Sequence, residues 1–267
     1  MKQSEYKYCA EKLHEAYCSY PDMEKTWAYP KIGSGDSVLH EGVDVSTLTK
    51  NLFFSMPLNK KHLPCMLEML REIKPKSLFC KQRFGQAVFD EFMKVPSLEQ
   101  VCFRSPLSID NIEGLCELPN LKLFNMSGAN KLLSFEPLAK LKLKKLALNG
   151  TYASIEQLSS IKLPEGLEAL SFSGTGNKKS VIEDLEFVAE CASLKFVALF
   201  QLTVVNGGLK PLARLNNLEY LSLDDYRLKD WSLEDYKYIH SRLPQLNPIT
   251  IKLAATDEEF QKHHRIR

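Results

Sequence analysis

The sequence predicts an α/β repeat solenoid, a stack of strand-and-helical-return units that share one parallel sheet. Three observations predict it: an apolar triplet recurs at a near-constant interval, a second apolar series spaced by three follows each triplet, and the composition excludes the competing classes. The chain has 267 residues, 44% hydrophobic and 25% charged, close to the average for globular protein and far from disordered or collagen-like chains. Lys and Arg number 35 against 33 Asp and Glu, a formal charge of +2, so no nucleic-acid partner is expected from charge. Apolar runs are broken by Lys, Glu or Ser well short of the ~20 residues that span a bilayer, and no membrane association is expected. The N-terminal run MKQSEYKYCAEKLHEAYC is polar where a secretory signal carries an apolar segment. Cysteines stand at positions 9, 18, 65, 80, 102, 116 and 191 with no CxxC pair, which fits reduced thiols and a cytoplasmic location.

The triplet L-x-x-L-x-L gives the strands. It reads Leu98, Val101, Phe103; Leu121, Phe124, Met126; Leu143, Leu146, Leu148; Leu167, Leu170, Phe172; Leu194, Val197, Leu199; Leu218, Leu221, Leu223; and Leu246, Ile249, Ile251. Successive copies lie 23, 22, 24, 27, 24 and 28 residues apart. A degenerate copy, Pro75, Leu78, Cys80, precedes them, and Thr49, Leu52, Phe54 extends the series once more. Side chains alternate along a strand, so the fourth and sixth places of each copy face one way and the third and fifth the other. The apolar series of period three gives the returns: Ile112, Leu115, Leu118; Phe135, Leu138, Leu141; Ile155, Leu158, Ile161; Leu185, Val188, Cys191; Leu209, Leu212, Leu215. That period suits a short helix or 3₁₀ turn with one apolar stripe. One unit alone cannot bury both its strand face and its stripe, whereas stacked units share a core in which each interior side chain gains ~1.5–3 kcal/mol.

Segments such as LPNLKLFNMSG, LEALSFSGTGNKKSVIEDLEFVAECASL and LKPLARLNNLEYLSLDD resemble the leucine-rich repeat family, in the flavour of the short cytosolic repeats of bacterial and phosphatase-regulating proteins; its repeats run ~20–29 residues. The resemblance covers residues 75–251. It implies a curved solenoid with the parallel β-sheet on the concave face and short helices or 3₁₀ turns on the convex face. It is compatible with a bacterial accessory role, as an effector or a toxin-neutralising protein. One departure stands out: the ninth place, where the family often puts a laddering Asn, holds Pro106, Ala129, Thr151, Thr175, Leu202 and Tyr226. Irregular curvature is expected there, with Thr hydroxyls serving some turn amides.

The ends complete the organisation. Tyr6, Cys9, Leu13, Ala16 and Tyr17 at helical spacing make residues 1–47 a helical N-terminal cap with an irregular segment, which such arrays need over their exposed end. Residues 48–253 form the solenoid and 254–267 a charged tail. Within the first units, helices are expected over His62–Ile73, with Pro64 near its start, and over Gly85–Lys94. A longer one carries Trp231, Leu233, Tyr236, Ile239 and Leu243.

Chemistry finds little support. The GSG at 33–35 is followed by Asp36 without the Lys of a phosphate loop, and reads as a turn. His263 and His264 are adjacent, and neighbours on a helix do not converge on a metal; a solvated tail is the plainer reading. Cys102, at a fifth place, is expected to face solvent and to be the most reactive thiol, yet no His stands in the sheet to serve it as base. An enzyme using His40, Glu41 and Asp44, or His62, with the repeats as targeting arm is the competing reading; a scaffold self-associating through open strand edges is a third.

Binding fits the geometry better. The third places read Gln100, Leu123, Lys145, Ala169, Phe196, Tyr220, the fifth Cys102, Asn125, Ala147, Ser171, Ala198, Ser222, and the seventh Arg104, Ser127, Asn149, Ser173, Phe200, Asp224. Toward the C-terminal end Phe196, Phe200, Tyr220 and Asp224 cluster, continued by Asp225 and Tyr226. Large rigid side chains beside carboxylates characterise binding hot spots; the plainer alternative is that the tail covers them. The second places, Glu99, Lys122, Lys144, Glu168, Lys195 and Glu219, are expected to pair across strands, and Lys140, Lys142 and Lys145 add a modest basic patch that reads as a solvated face. The sequence thus predicts a monomeric, non-enzymatic protein-interaction module without cofactor or metal, its partner held by Lys145, Phe196, Phe200, Tyr220, Asp224, Asp225 and Tyr226.

Overall fold

A computed structural model describes residues 51–54, 64, 67, 68, 70, 71, 74–80, 83–103, 108–129, 131–150, 161–174, 180–200, 202–223 and 233–246. Within them the strands are β1 Asn51–Phe54, β2 Ser77–Cys80, β3 Gln100–Phe103, β4 Leu123–Ser127, β5 Lys145–Asn149, β6 Ala169–Ser173, β7 Ser180–Ile182, β8 Phe196–Phe200, β9 Leu202–Val204 and β10 Tyr220–Leu223, all but β7 and β9 on the triplets. Eight of them form one parallel sheet in the order β1-β2-β3-β4-β5-β6-β8-β10. The order follows the chain because parallel neighbours need a crossover, and the described units carry theirs in their second halves. The described crossovers are α1 Gln86–Phe92, on the helix expected over Gly85–Lys94, and, over stretches of period three, 3₁₀ turns at Glu113–Glu117, Glu136–Lys140 and Lys210–Arg214 and α2 Glu186–Ala189. The longer α3, Leu233–Arg242, follows β10, and residues 64, 67, 68, 70 and 71 are helical. The helical cap expected from Tyr6, Cys9, Leu13, Ala16 and Tyr17, the return residues Ile155 and Leu158 and the strand residues Ile249 and Ile251 lie outside the described residues.

Register is strict. Val101, Phe124, Leu146, Leu170, Val197 and Leu221 stand side by side across the sheet, and all are buried in one continuous core with Ile112, Leu115, Leu138, Val188, Leu212 and Leu215 of the returns. The β1–β2 pairing sets Leu52 beside Leu78 and Phe54 beside Cys80, so the copy beginning at Thr49 belongs to the same sheet. At its N-terminal end the core is aromatic: Phe103 meets Phe84 edge-to-face at 4.9 Å and Phe89 at 5.9 Å, and lies 6.5 Å from Phe124.

Three devices lock one unit to the next. The carbonyls of Lys76, Glu99, Lys122, Lys144, Glu168 and Lys195 each accept two N–H groups from the following unit, as Lys122 does from Lys144 and Lys145 at 2.7 and 3.0 Å. Beyond the strands, the N–H groups of Gly128, Gly150 and Gly174 donate to the carbonyls of Asn149, Ser173 and Phe200; Gly128 does so at φ 73°, a conformation that costs other residues ~1–2 kcal/mol. Finally, the residue just before a triplet reaches back one unit: Ser97 Oγ donates to the Pro75 carbonyl at 2.8 Å, Ser193 Oγ to that of Leu167 at 2.7 Å, and Gln245 Nε2 to that of Leu218 at 3.2 Å.

The second-place charges form two ladders, Lys76–Glu99–Lys122 at 2.6 and 2.8 Å and Lys144–Glu168–Lys195 at 2.9 and 3.3 Å. Lys195 reaches Glu168, not the Glu219 also expected. The Lys122 and Lys76 ammonium groups hold the Glu99 carboxyl below its ordinary range. Glu168 is lowered chiefly by its hydrogen bond to Lys144, against a smaller opposing effect of desolvation.

Regularity breaks where the interval widens to 27 residues. That unit carries β7, which pairs in parallel with β9 in a separate two-stranded sheet, Ser180 beside Leu202 and Ile182 beside Val204. Leu202, one of the anomalous ninth places, is thus a strand residue; Ala129, another, is buried, and Pro106, Thr151, Thr175 and Tyr226 lie outside the described residues.

Candidate interaction surface

Alternation gives the large sheet two unlike faces. One carries the fourth and sixth places and the returns that cover them. On the other stand the third, fifth and seventh places, and of these Phe79, Cys102, Leu123, Ala147, Ala169 and Ala198 are buried while standing apart from the core cluster. Cys102 is therefore not the solvent-facing thiol expected: it is 3% exposed, in the central row between Phe79 and Asn125. Strands ~4.8 Å apart bring side chains of one row into contact, so a small residue is sheltered by its neighbours in the row. Among the described cysteines only Cys116, on the Glu113–Glu117 turn, is exposed. Burial pushes the Cys191 thiol up, against nucleophilic use.

The described candidates cluster at the C-terminal end of this face. Phe196 on β8 and Tyr220 on β10 are register partners, and their rings stack nearly parallel, 4.7 Å between centroids with 3° between planes. Both are half-buried. Phe200, also half-buried, ends β8, where its carbonyl accepts the Gly174 N–H at 2.9 Å. Lys145 lies in the same row as Phe196, two strands away, with Ala169 between them. Lys122 and Lys144, its neighbours in the expected basic patch, are engaged by Glu99 and Glu168. Asp224, Asp225, Tyr226 and Arg104 lie outside the described residues.

Between the aromatic end and Phe79 the face mixes polar residues with Cys102, Leu123, Ala147 and Ala169. Asn149 Nδ2 donates to Asn125 Oδ1 at 3.4 Å, with Asn125 buried, and Gln100 Oε1 is buried without a hydrogen-bond partner among the described residues. The third-, fifth- and seventh-place identities held these residues in view, but not that one amide would bond to the next or that one oxygen would be left alone, since both depend on rotamers.

Among the described residues no group of His, Cys, Asp and Glu could hold a metal, and no helix is long and apolar enough to cross a membrane. His40, Glu41, Asp44, His62, His263 and His264 lie outside the described residues, and His240 is exposed on α3. Compared with family models, curated proteins and solved structures, the chain matches none.

Proposed function

We propose that this chain is a leucine-rich repeat solenoid, concave on the face that bears Phe196 and Tyr220, and that it acts as a non-enzymatic module binding a protein partner there and along the C-terminal rim of Asp224, Asp225 and Tyr226. The unbroken register of the parallel sheet, with short helical returns between its strands among the described residues, supports the architecture. One observation carries the function: a stacked Phe–Tyr pair, half-exposed, on the sheet face that the helical returns leave uncovered. Rings held in place by a neighbouring strand lose little freedom on docking, and such anchors dominate interface energetics. The protein works as a cytoplasmic monomer in this reading.

Affinity capture from a lysate of the source organism tests it. The variant F196A/F200A/Y220A should lose at least ~10-fold of one captured protein, while its melting temperature stays within a few degrees of wild type. Undiminished capture overturns the proposal, as does a dimer in size-exclusion chromatography that dissociates in the variant.

A further inference from the structure

Among the described residues the open face of the large sheet carries a single charge. Of its third, fifth and seventh places only Lys145 is charged; the others hold apolar, amide or hydroxyl side chains and the Cys102 thiol. The register partners of Lys145 on β4 and β6, Leu123 and Ala169, are both buried and give it no acceptor side chain. Lys145 is itself half-buried. Its neighbours at second places fare differently, Lys122 and Lys144 holding carboxylates at 2.8 and 2.9 Å. No carboxylate among the described residues reaches Lys145.

Two strand spacings of ~4.8 Å separate Lys145 from Phe196, with β6 between them. A stable interface covers about 800 Å² of each partner, and a disc of that area centred on the Phe196–Tyr220 stack extends about 16 Å from its centre. A protein seated on the rings therefore covers Lys145 as well. Covering that ammonium without an anion forfeits its hydration and returns nothing. Resting on the reading above that this face binds a protein, we propose that the partner sets an Asp or Glu carboxylate against Lys145, about 10 Å from an apolar side chain that it seats on the Phe196–Tyr220 stack. A basic segment is repelled at the same point, and an uncharged one strands the lysine. A phosphate group calls for several donors at once, and the described face has no second cation to add. The rings supply the hold, and the one charge selects which protein docks and in which orientation.

The test pans a display library of random peptides, each about a dozen residues long so that an extended one overruns the sheet face, against the immobilised chain. Binding of the selected peptides is then measured on variants. Enriched peptides should share an Asp or Glu together with an apolar residue. K145Q should weaken them at least ~10-fold and K145E further, while a peptide whose acidic residue is replaced by Lys should bind K145E better than it binds wild type. That exchange keeps the test decisive if either variant alone disturbs the sheet. Three results overturn the charge pairing: enriched peptides with no shared acidic residue, an exchange that restores nothing, or binding unchanged in K145Q, as expected if the ammonium turns into water past the start of β5. If K145Q and K145E are silent yet F196A/F200A/Y220A abolishes binding, the pairing fails and the wider interface stands. If no peptide is enriched, or those enriched ignore every variant, the pairing is overturned and lysate capture alone decides the wider reading.

Discussion

The two ends of the sheet use aromatic residues in opposite ways. Around β2, β3 and β4, Phe84, Phe89, Phe92, Phe103 and Phe124 are buried in the core shared by sheet and returns, meeting largely edge-to-face, and Phe79, on the other face of β2, is buried as well. Around β8 and β10, the inward places are aliphatic, Val197, Leu199 and Leu221, and Phe196, Phe200 and Tyr220 stand on the other face, half-buried. Register, doubled carbonyl acceptors and charge ladders are common to both ends. Stacking therefore fixes only what points inward, and outward places are free to differ from unit to unit. That freedom is where function resides in a repeat array.

The sharpest way to break this contrast is to truncate one ring at each end. Phe103→Ala removes a fully buried side chain that touches four other rings, and should cost ~3–5 kcal/mol in chemical denaturation. Phe196→Ala forfeits one stack, ~0.5–1.5 kcal/mol, and the burial of a side chain that is only partly covered, less than the ~1.5–3 kcal/mol of a fully buried one, and it leaves no enclosed cavity, so its cost should fall clearly below that of Phe103→Ala. Equal costs would mean that Phe196 serves the fold, and the case for it as a binding anchor would fall with that result.

The inward half of this contrast was legible in the sequence and the outward half only partly so. A triplet repeated through stacked units is a strong signal because a one-residue slip would turn every apolar side chain outward, which is why even the weak copies at Thr49 and Pro75 fell into register as β1 and β2. Returns were legible for the same reason. Cys102 was misjudged because its burial depends on the neighbouring columns and not on its own place in the repeat. The β7–β9 pair left no periodic trace, since three residues in each strand are too few to alternate visibly. Ser97, Ser193 and Gln245 do one job with different residue types, so no identity repeats at that position. The clustering of Phe196 with Tyr220 followed from the column; the near-parallel stack did not, because it needs the rotamers.

A second pair of substitutions probes what the two ends share. Ser97→Ala and Ser193→Ala each remove a half-buried hydroxyl that satisfies a carbonyl one unit back, at 2.8 and 2.7 Å. Each should cost ~0.5–1.5 kcal/mol, and the two costs should agree. A silent Ser193→Ala beside a costly Ser97→Ala would place the difference between the ends in the framework itself, and not in its outward display.

The smallest effect concerns the charge ladders, and here a modest asymmetry is expected. Both glutamates are held below their ordinary range by flanking lysines, so each contributes stability that is present above the unfolded carboxyl pKa and lost as pH falls through the lower, folded one. Glu99 is the better placed, with partners at 2.6 and 2.8 Å and its side chain 21% exposed, against 2.9 and 3.3 Å and 39% for Glu168. Exposed pairs contribute ~0.2–1 kcal/mol, and screening in molar salt, where the Debye length is ~3 Å, reduces that further. Urea midpoints measured between neutral and acid pH should therefore fall less for E99Q than for wild type, with E168Q closer to wild type than E99Q is, and high salt should narrow all three. If E168Q removed more of the acid sensitivity than E99Q, the ladder geometry would not govern these carboxylates. The remaining acid response would then belong to groups that the two ends of the sheet do not share.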